Sequence, residues 1–179
     1  MATKIGIISE HKPGEGRIPL TPDQIQKLLT DNPQFSITVQ PSAQRRFEED
    51  EFQSRGIQLS PDMQHANLVM AVKEIDVKDI NGNQAYLYFS HTIKGQDYNM
   101  PMLQHILDVG ATLLDYELIR DENDRRLVFF GRHAGLAGMV NTLWSYGQRQ
   151  LVQGVESPFQ MIKQTQDYQN LEEINFSLQ

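Results

Sequence analysis

Two lysines, a histidine and a glutamine stand just past two apolar segments of this sequence. Phe89-Ser90-His91-Thr92-Ile93-Lys94-Gly95-Gln96 closes the aromatic run that starts at Ala85, and Lys73 follows the run Ala66–Val72. Imidazole titrates near neutral pH, and burial or a neighbouring cation lowers an ammonium pKa towards that range. A histidine and a lysine brought to one sheet edge would suit proton transfer on an anionic or carbonyl substrate. The plain alternatives are a lysine where a strand meets solvent and a histidine that only packs. The polarity of residues 90–96, directly after a buried strand, tips the balance towards function.

Other charged residues complete such a site. Arg17 lies in a loop with Pro13, Gly14 and Gly16. A guanidinium there can grip a carboxylate bidentately, or can simply pair with Glu10 or Glu15. Arg125 and Arg126 offer the same grip, but neighbours on a strand face opposite ways, so one at most points into a given site. Glu117 follows the apolar run Ala111–Tyr116 and suits a cation or a substrate ammonium; the alternative is an exposed acid. The five histidines, His11, His65, His91, His105 and His133, show no HxxxH or HExxH spacing, so no metal site is expected. Gly131, Gly135 and Gly138 give GxxxGxxG, which is neither GxGxxG nor a P-loop. Close helix packing is the better reading, and no cofactor-binding residue is expected in this chain.

These residues need elements to hold them. Lys4–Ser9 reads as a buried first strand. Thr21, Pro22 and Gln24 form a capping box that starts a helix running to Leu29 or Thr30. A strand over Phe35–Val39, a charged helix over Phe47–Arg55, and strands over Ala66–Val72 and Ala85–Phe89 follow. A helix over Tyr98–Val109 leads to a strand over Ala111–Tyr116. The turn Asp121–Asp124 then predicts an edge hairpin whose second arm is Arg126–Phe130. His133–Leu151 carries apolar residues at helical spacing, and Ser157-Pro158 and Asn170 cap shorter helices. Alternation of strands and helices predicts an α/β fold. The expected form is a three-layer, mostly parallel Rossmann-like (flavodoxin-like) sheet with helices on both faces, plus a long C-terminal connecting helix. The expected division is an α/β domain over 1–132 and a helical connector over 133–179. In such sheets ligands bind beyond the carboxyl ends of the strands.

Composition sets the outer limits. The 179 residues are 39% hydrophobic and 22% charged, as in a soluble globular domain. A net charge of −7 disfavours a nucleic-acid partner. There is no cysteine, hence no thiolate chemistry. No apolar run approaches the roughly 20 residues of a membrane span, and the N-terminus enters a strand without room for a signal peptide. A cytoplasmic protein with no membrane partner is expected.

The opening Lys4-Ile5-Gly6-Ile7, with Pro13-Gly14-Glu15-Gly16-Arg17-Ile18-Pro19-Leu20-Thr21-Pro22, resembles the alanine dehydrogenase, transhydrogenase and saccharopine dehydrogenase superfamily. Residues 89–96 and Tyr98-Asn99-Met100-Pro101 resemble one branch more closely. That branch is lysine–2-oxoglutarate reductase, the saccharopine-forming enzyme. Leu113–Glu117, Arg125–Val128, Phe130-Gly131, Ala134–Met139 and Ser157-Pro158-Phe159 agree with it. The resemblance implies reductive joining of lysine to 2-oxoglutarate, or the reverse, with NAD or NADP. It implies Lys73 and His91 as the acid/base pair, and Arg17 and Arg126 as holders of substrate carboxylates. Lys94, Gln96 and Glu117 would line the cleft. In that branch a Rossmann domain with GxGxxG follows this region. The chain alone is therefore expected neither to bind the cofactor nor to transfer hydride. Its partners would be lysine, 2-oxoglutarate and saccharopine, the missing Rossmann domain or a partner chain, and further copies of itself. The competing expectations are an alanine-dehydrogenase-like domain for a smaller 2-oxo acid, and a non-catalytic binding or regulatory module.

Overall fold

The computed structural model describes residues 3–179 and falls into two compact units, one ending at Val128 and one running from Phe129 to Gln179. The first holds six strands: β1 (Thr3–Ile7), β2 (Phe35–Val39), β3 (Gln58–Leu59), β4 (Leu68–Met70), β5 (Ala85–Tyr88) and β6 (Thr112–Asp115). They form one wholly parallel sheet in the order β3-β2-β1-β4-β5-β6, which is the Rossmann order. Helices α1 (Pro22–Asp31), α2 (Glu49–Gln53) and α3 (Met100–Asp108) belong to the same unit.

Side-chain alternation sorts the core onto the two faces of the sheet. Ile5 and Ile7 are in register with Ile37 and Val39 on one side and with Leu68 and Met70 on the other. These residues pack with Ile25 of α1 and Phe52 of α2. Val69 is in register with Tyr86, and Tyr86 with Leu113; this row packs on the other face with Met102 and Ile106 of α3. The expected helix start is present. Thr21 Oγ1 accepts from the Gln24 N–H at 3.3 Å, and Gln24 Oε1 accepts from the Thr21 N–H at 2.9 Å.

Two expected strands need correction, and one strand was not expected. The strand read over Ala66–Val72 shrinks to Leu68–Met70, because the N–H groups of Val72 and Lys73 turn to the Glu10 carboxylate instead of continuing the ladder to β1. The strand read over Arg126–Phe130 does not form. Arg120 and Arg126 make one isolated antiparallel bridge, and Asp121 Oδ1 captures the N–H groups of Asn123 and Arg125 at 2.9 Å each. The hairpin is confined to that one bridge, flanked by the Asp121 N–H on the Arg125 carbonyl and the Leu127 N–H on the Ile119 carbonyl, and it adds no strand to the wholly parallel sheet. The two-residue strand β3 escapes sequence reading, since it is too short to show alternation.

The second unit consists of α4 (Gly131–Val152), two short 3₁₀ turns at Pro158–Met161 and Thr165–Asp167, and α5 (Leu171–Ser177). Val140, Ile162 and Tyr168 form its buried cluster. Ser157 and Asn170 accept from the N–H groups of Phe159 and Glu173 as caps. The close approach expected at the glycines of 131–138 lies elsewhere. A β-carbon on Gly135 or Gly138 would meet nothing within 4 Å, whereas one on Gly147 would sit 2.3 Å from the Phe159 carbonyl oxygen.

Candidate active site

Strand order reverses between β1 and β4, and the chain leaves their carboxyl ends in opposite directions, which opens a crevice there. Glu10 lies just beyond β1 and is 9% exposed. Its Oε1 accepts from the Val72 N–H at 2.6 Å and its Oε2 from the Lys73 N–H at 3.0 Å. One buried carboxylate thus ties the end of β1 to the end of β4 and fixes the backbone of Lys73. Burial pushes the Glu10 carboxyl above its ordinary range, against the pull of the two N–H groups.

The charge of Lys73 acts on two carboxylates, Glu15 and Glu74. Burial opposes ionisation of each, but their bonds and neighbouring cations outweigh it and hold both below the usual carboxylate range. For Glu15 the partner is Arg17, which donates through Nε at 2.7 Å and also through Nη2. For Glu74 it is His91, whose Nδ1 lies 2.6 Å from Oε1. An ionised carboxylate only accepts, so Nδ1 carries a proton. In the neutral ring Nε2 then presents its lone pair, the arrangement a general base requires. The rings of His91 and Tyr116 both pack on Phe89, with centroids 6.4 and 5.1 Å away.

A second cluster forms beyond β5 and β6. Lys94 Nζ and Arg126 Nη1 approach the same oxygen, Glu117 Oε1, at 3.6 and 3.4 Å. Arg126 Nη2 donates to the Val128 carbonyl at 3.2 Å. Glu117 Oε2 and Arg126 Nε are buried and have no hydrogen-bond partner among the described residues. Leaving each such group unsatisfied costs about 1–3 kcal/mol.

The residues singled out from sequence therefore fall into two groups. Arg17, Lys73 and His91 are linked through Glu15 and Glu74; Lys94, Glu117 and Arg126 meet one another directly. Gln96 is exposed, with its side-chain oxygen turned to the Tyr98 hydroxyl at 2.6 Å. Sequence reading missed Glu10 and Glu74 as parts of the site. A signal existed for both: Glu10 directly follows an apolar strand, and Glu74 adjoins a strand-end lysine.

A metal or a dinucleotide can be tested against the same residues. His11, Asp76 and Asp79 are exposed, and each can offer an atom within 4.8 Å of the others. Sequence spacing could not show this group, because it joins two loops. The two ring nitrogens of His11 face different carboxylates, and Lys78 Nζ already lies 3.2 Å from Asp76, so the set is poorly arranged for an ion. A dinucleotide fits less well. In dinucleotide folds the pyrophosphate sits at the turn after the first strand. That position holds the buried acids Glu10 and Glu15, and a β-carbon on Gly16 would already lie 2.9 Å from the Gln44 carbonyl oxygen.

Residues 6–137 match the family model described as "Alanine dehydrogenase/PNT, N-terminal domain". The chain belongs to this family. Among its relatives, an alpha-aminoadipic semialdehyde synthase of Arabidopsis thaliana is 38% identical over 172 residues, which are 93% of this chain and 16% of that protein. A "saccharopine dehydrogenase [NAD(+), L-lysine-forming]" of Neurospora crassa is 32% identical over 164 residues, 87% of this chain and 44% of the relative. An L-alanine dehydrogenase structure superposes with a TM-score of 0.60 at 20% identity, over 69% of this chain and 35% of that one. The shared alanine dehydrogenase/PNT N-terminal fold agrees with the Rossmann-like sheet expected from sequence. The chain spans less than half the length of each of these proteins. No helix among the described residues is long and apolar enough to cross a membrane.

Proposed function

We propose that this chain is the substrate-binding part of an oxidoreductase of lysine metabolism that joins lysine to 2-oxoglutarate as saccharopine, or runs that step in reverse. The observation that carries this reading is the pair of buried, unpartnered atoms Glu117 Oε2 and Arg126 Nε. An amino-acid end supplies both complements, an ammonium for the acceptor and a carboxylate for the donor. The relatives named for saccharopine and aminoadipic semialdehyde support the same substrate class.

The proton steps then fall to this chain. Adding an amine to a 2-oxo carbon forms a C–N bond and moves a proton from nitrogen to the carbonyl oxygen; loss of water gives the C=N bond. His91 Nε2 takes the amine proton, with the resulting imidazolium stabilised by Glu74 through Nδ1. Lys73, fixed through Glu10, protonates the oxygen. Arg17, Arg126 and Lys94 hold substrate carboxylates, Glu117 an ammonium, and Gln96 lines the cleft. Hydride for the C=N bond comes from a nicotinamide cofactor, NAD or NADP. The buried acids after β1 do not suit that cofactor, so its binding belongs to another domain or a partner chain. The test is NAD(P)H oxidation by an enzyme that joins this chain to a nicotinamide-binding domain. Oxidation with lysine plus 2-oxoglutarate is expected. Oxidation only with pyruvate plus ammonia would overturn the reading in favour of an alanine-dehydrogenase-like domain.

A further inference from the structure

His91 adopts φ +54° and ψ 12°, the left-handed region that a residue with a side chain rarely occupies. Such a conformation persists at a site only where the surroundings impose it. Both flanks of His91 supply that constraint. Ser90 is fully buried, and its hydroxyl donates to Asp115 Oδ2. The same Oγ accepts from the Thr92 N–H at 3.2 Å and lies 2.9 Å from Thr92 Oγ1. Asp115, itself 7% exposed, uses its other oxygen to accept from the Glu117 N–H at 2.8 Å.

These contacts close a circuit. From Asp115 it passes to Ser90, then along the 3₁₀ turn Thr92–Lys94, then across 3.6 Å from Lys94 Nζ to Glu117 Oε1, and back through the Glu117 N–H to Asp115. His91, Lys94 and Glu117 all hang on it. A carboxylate is suited to the centre because its two oxygens accept from two loops at once, and burial keeps water from competing for either.

We propose that Asp115, acting through Ser90, is a positioning residue that holds His91 in its left-handed turn and fixes Glu117 relative to Lys94. The role assigned to His91 rests on the proposed function; the clasp itself does not. Asp115 touches no reacting atom on this account. It determines where His91 Nε2 points once Nδ1 is bound to Glu74.

The experiment uses the 179-residue chain and the imidazole N–H signals of its five histidines. In the wild type, His91 Nδ1–H should exchange slowly with water because Glu74 holds it. Ser90→Ala should speed that exchange at least about tenfold and leave His11, His65, His105 and His133 unchanged. Asp115→Ala should do the same. Asp115→Asn should largely restore the wild-type signal, since an amide can still accept from Glu117 and can donate to Ser90. If Asp115→Ala fails to fold, Ser90→Ala alone decides, because it removes one oxygen from a buried site. An unchanged His91 signal in folded Ser90→Ala overturns the proposal. In a complete enzyme, Ser90→Ala should lower kcat about tenfold to a hundredfold, as small misplacements of reacting groups do. Normal turnover in His91→Ala would overturn the role of His91 in the proposed function and leave the clasp standing.

Discussion

Up to Val128 the chain buries its apolar residues in two clusters, of ten and seven residues, one on each face of the sheet. From Phe129 onward three residues are buried in the cluster of Val140, Ile162 and Tyr168. In that second unit Val152, Met161 and Phe176 are each at least 80% exposed. An apolar cavity of about 300 Å³ opens among Leu136, Met139, Leu171, Ile174 and Leu178. The charges are divided the other way. The first unit gathers Glu10, Glu15, Lys73, Glu74, His91 and Glu117 at strand ends, while the second shows one ion pair among the described residues, Lys163–Glu173 at 3.3 Å. A sheet filled on both faces can hold buried carboxylates at its edge, because its apolar core offsets the cost of desolvating them. A helical unit with so small a core has no such reserve.

Substitutions in the two units should separate activity from packing. The largest effect belongs to the proposed acid/base pair, Lys73 and His91. In a complete enzyme His91→Ala and Lys73→Met should each lower kcat by about 10²–10⁴-fold, the usual range for a lost general acid or base. Val152→Ser, in the second unit, should leave kcat unchanged. Equal losses at Val152 and His91 would dissolve the division of labour.

Stability should divide the same way. Ile7 is fully buried at the end of β1, and Ile7→Ala should cost about 2–5 kcal/mol in urea unfolding. Met161→Ala should stay within about 0.5 kcal/mol. Gly147→Ala is the sharper probe of the second unit. Its new methyl would press on the Phe159 carbonyl, at a cost of about 1–3 kcal/mol. Hydrogen exchange should then quicken in α4 and remain unchanged in β1 and β5.

The smallest effect is on pH dependence. The folded-state pKa values of Glu15 and Glu74 lie below the ordinary 4.5, so their contribution is complete above that value and fades as pH falls through the depressed one. The urea midpoint should drop as the solution is acidified below about pH 4.5. Glu74→Gln should flatten that fall, and an unchanged slope in this variant would remove the His91–Glu74 pair from the account.

Much of this was legible in the sequence, and the gaps have physical causes. The Thr21 capping box, the parallel sheet and the charged strand ends all follow from local pattern. The strand over 66–72 was overestimated because its length is set by Glu10, a residue more than sixty positions away. The hairpin over 121–130 stops at one bridge: the Asp121 and Leu127 N–H groups pair across it, while the Asp121 side chain takes the N–H groups of Asn123 and Arg125 and closes the turn. Arg17, Lys73, His91 and Glu117 could be named as candidates from residue type and position. The carboxylates that pair with or position them, Glu10, Glu74 and Asp115, act through long-range contacts that no local spacing records.

Substrate choice is read most directly by titrating the chain with 2-oxoglutarate and with pyruvate and following backbone and side-chain NMR shifts. 2-Oxoglutarate should bind saturably, at least about tenfold tighter than pyruvate. The shifts should concentrate at Arg17, Lys73, His91, Lys94 and Arg126, and Arg126→Ala should weaken binding. Shifts centred on α4 and α5, or equal affinity for the two acids, would contradict the proposed function.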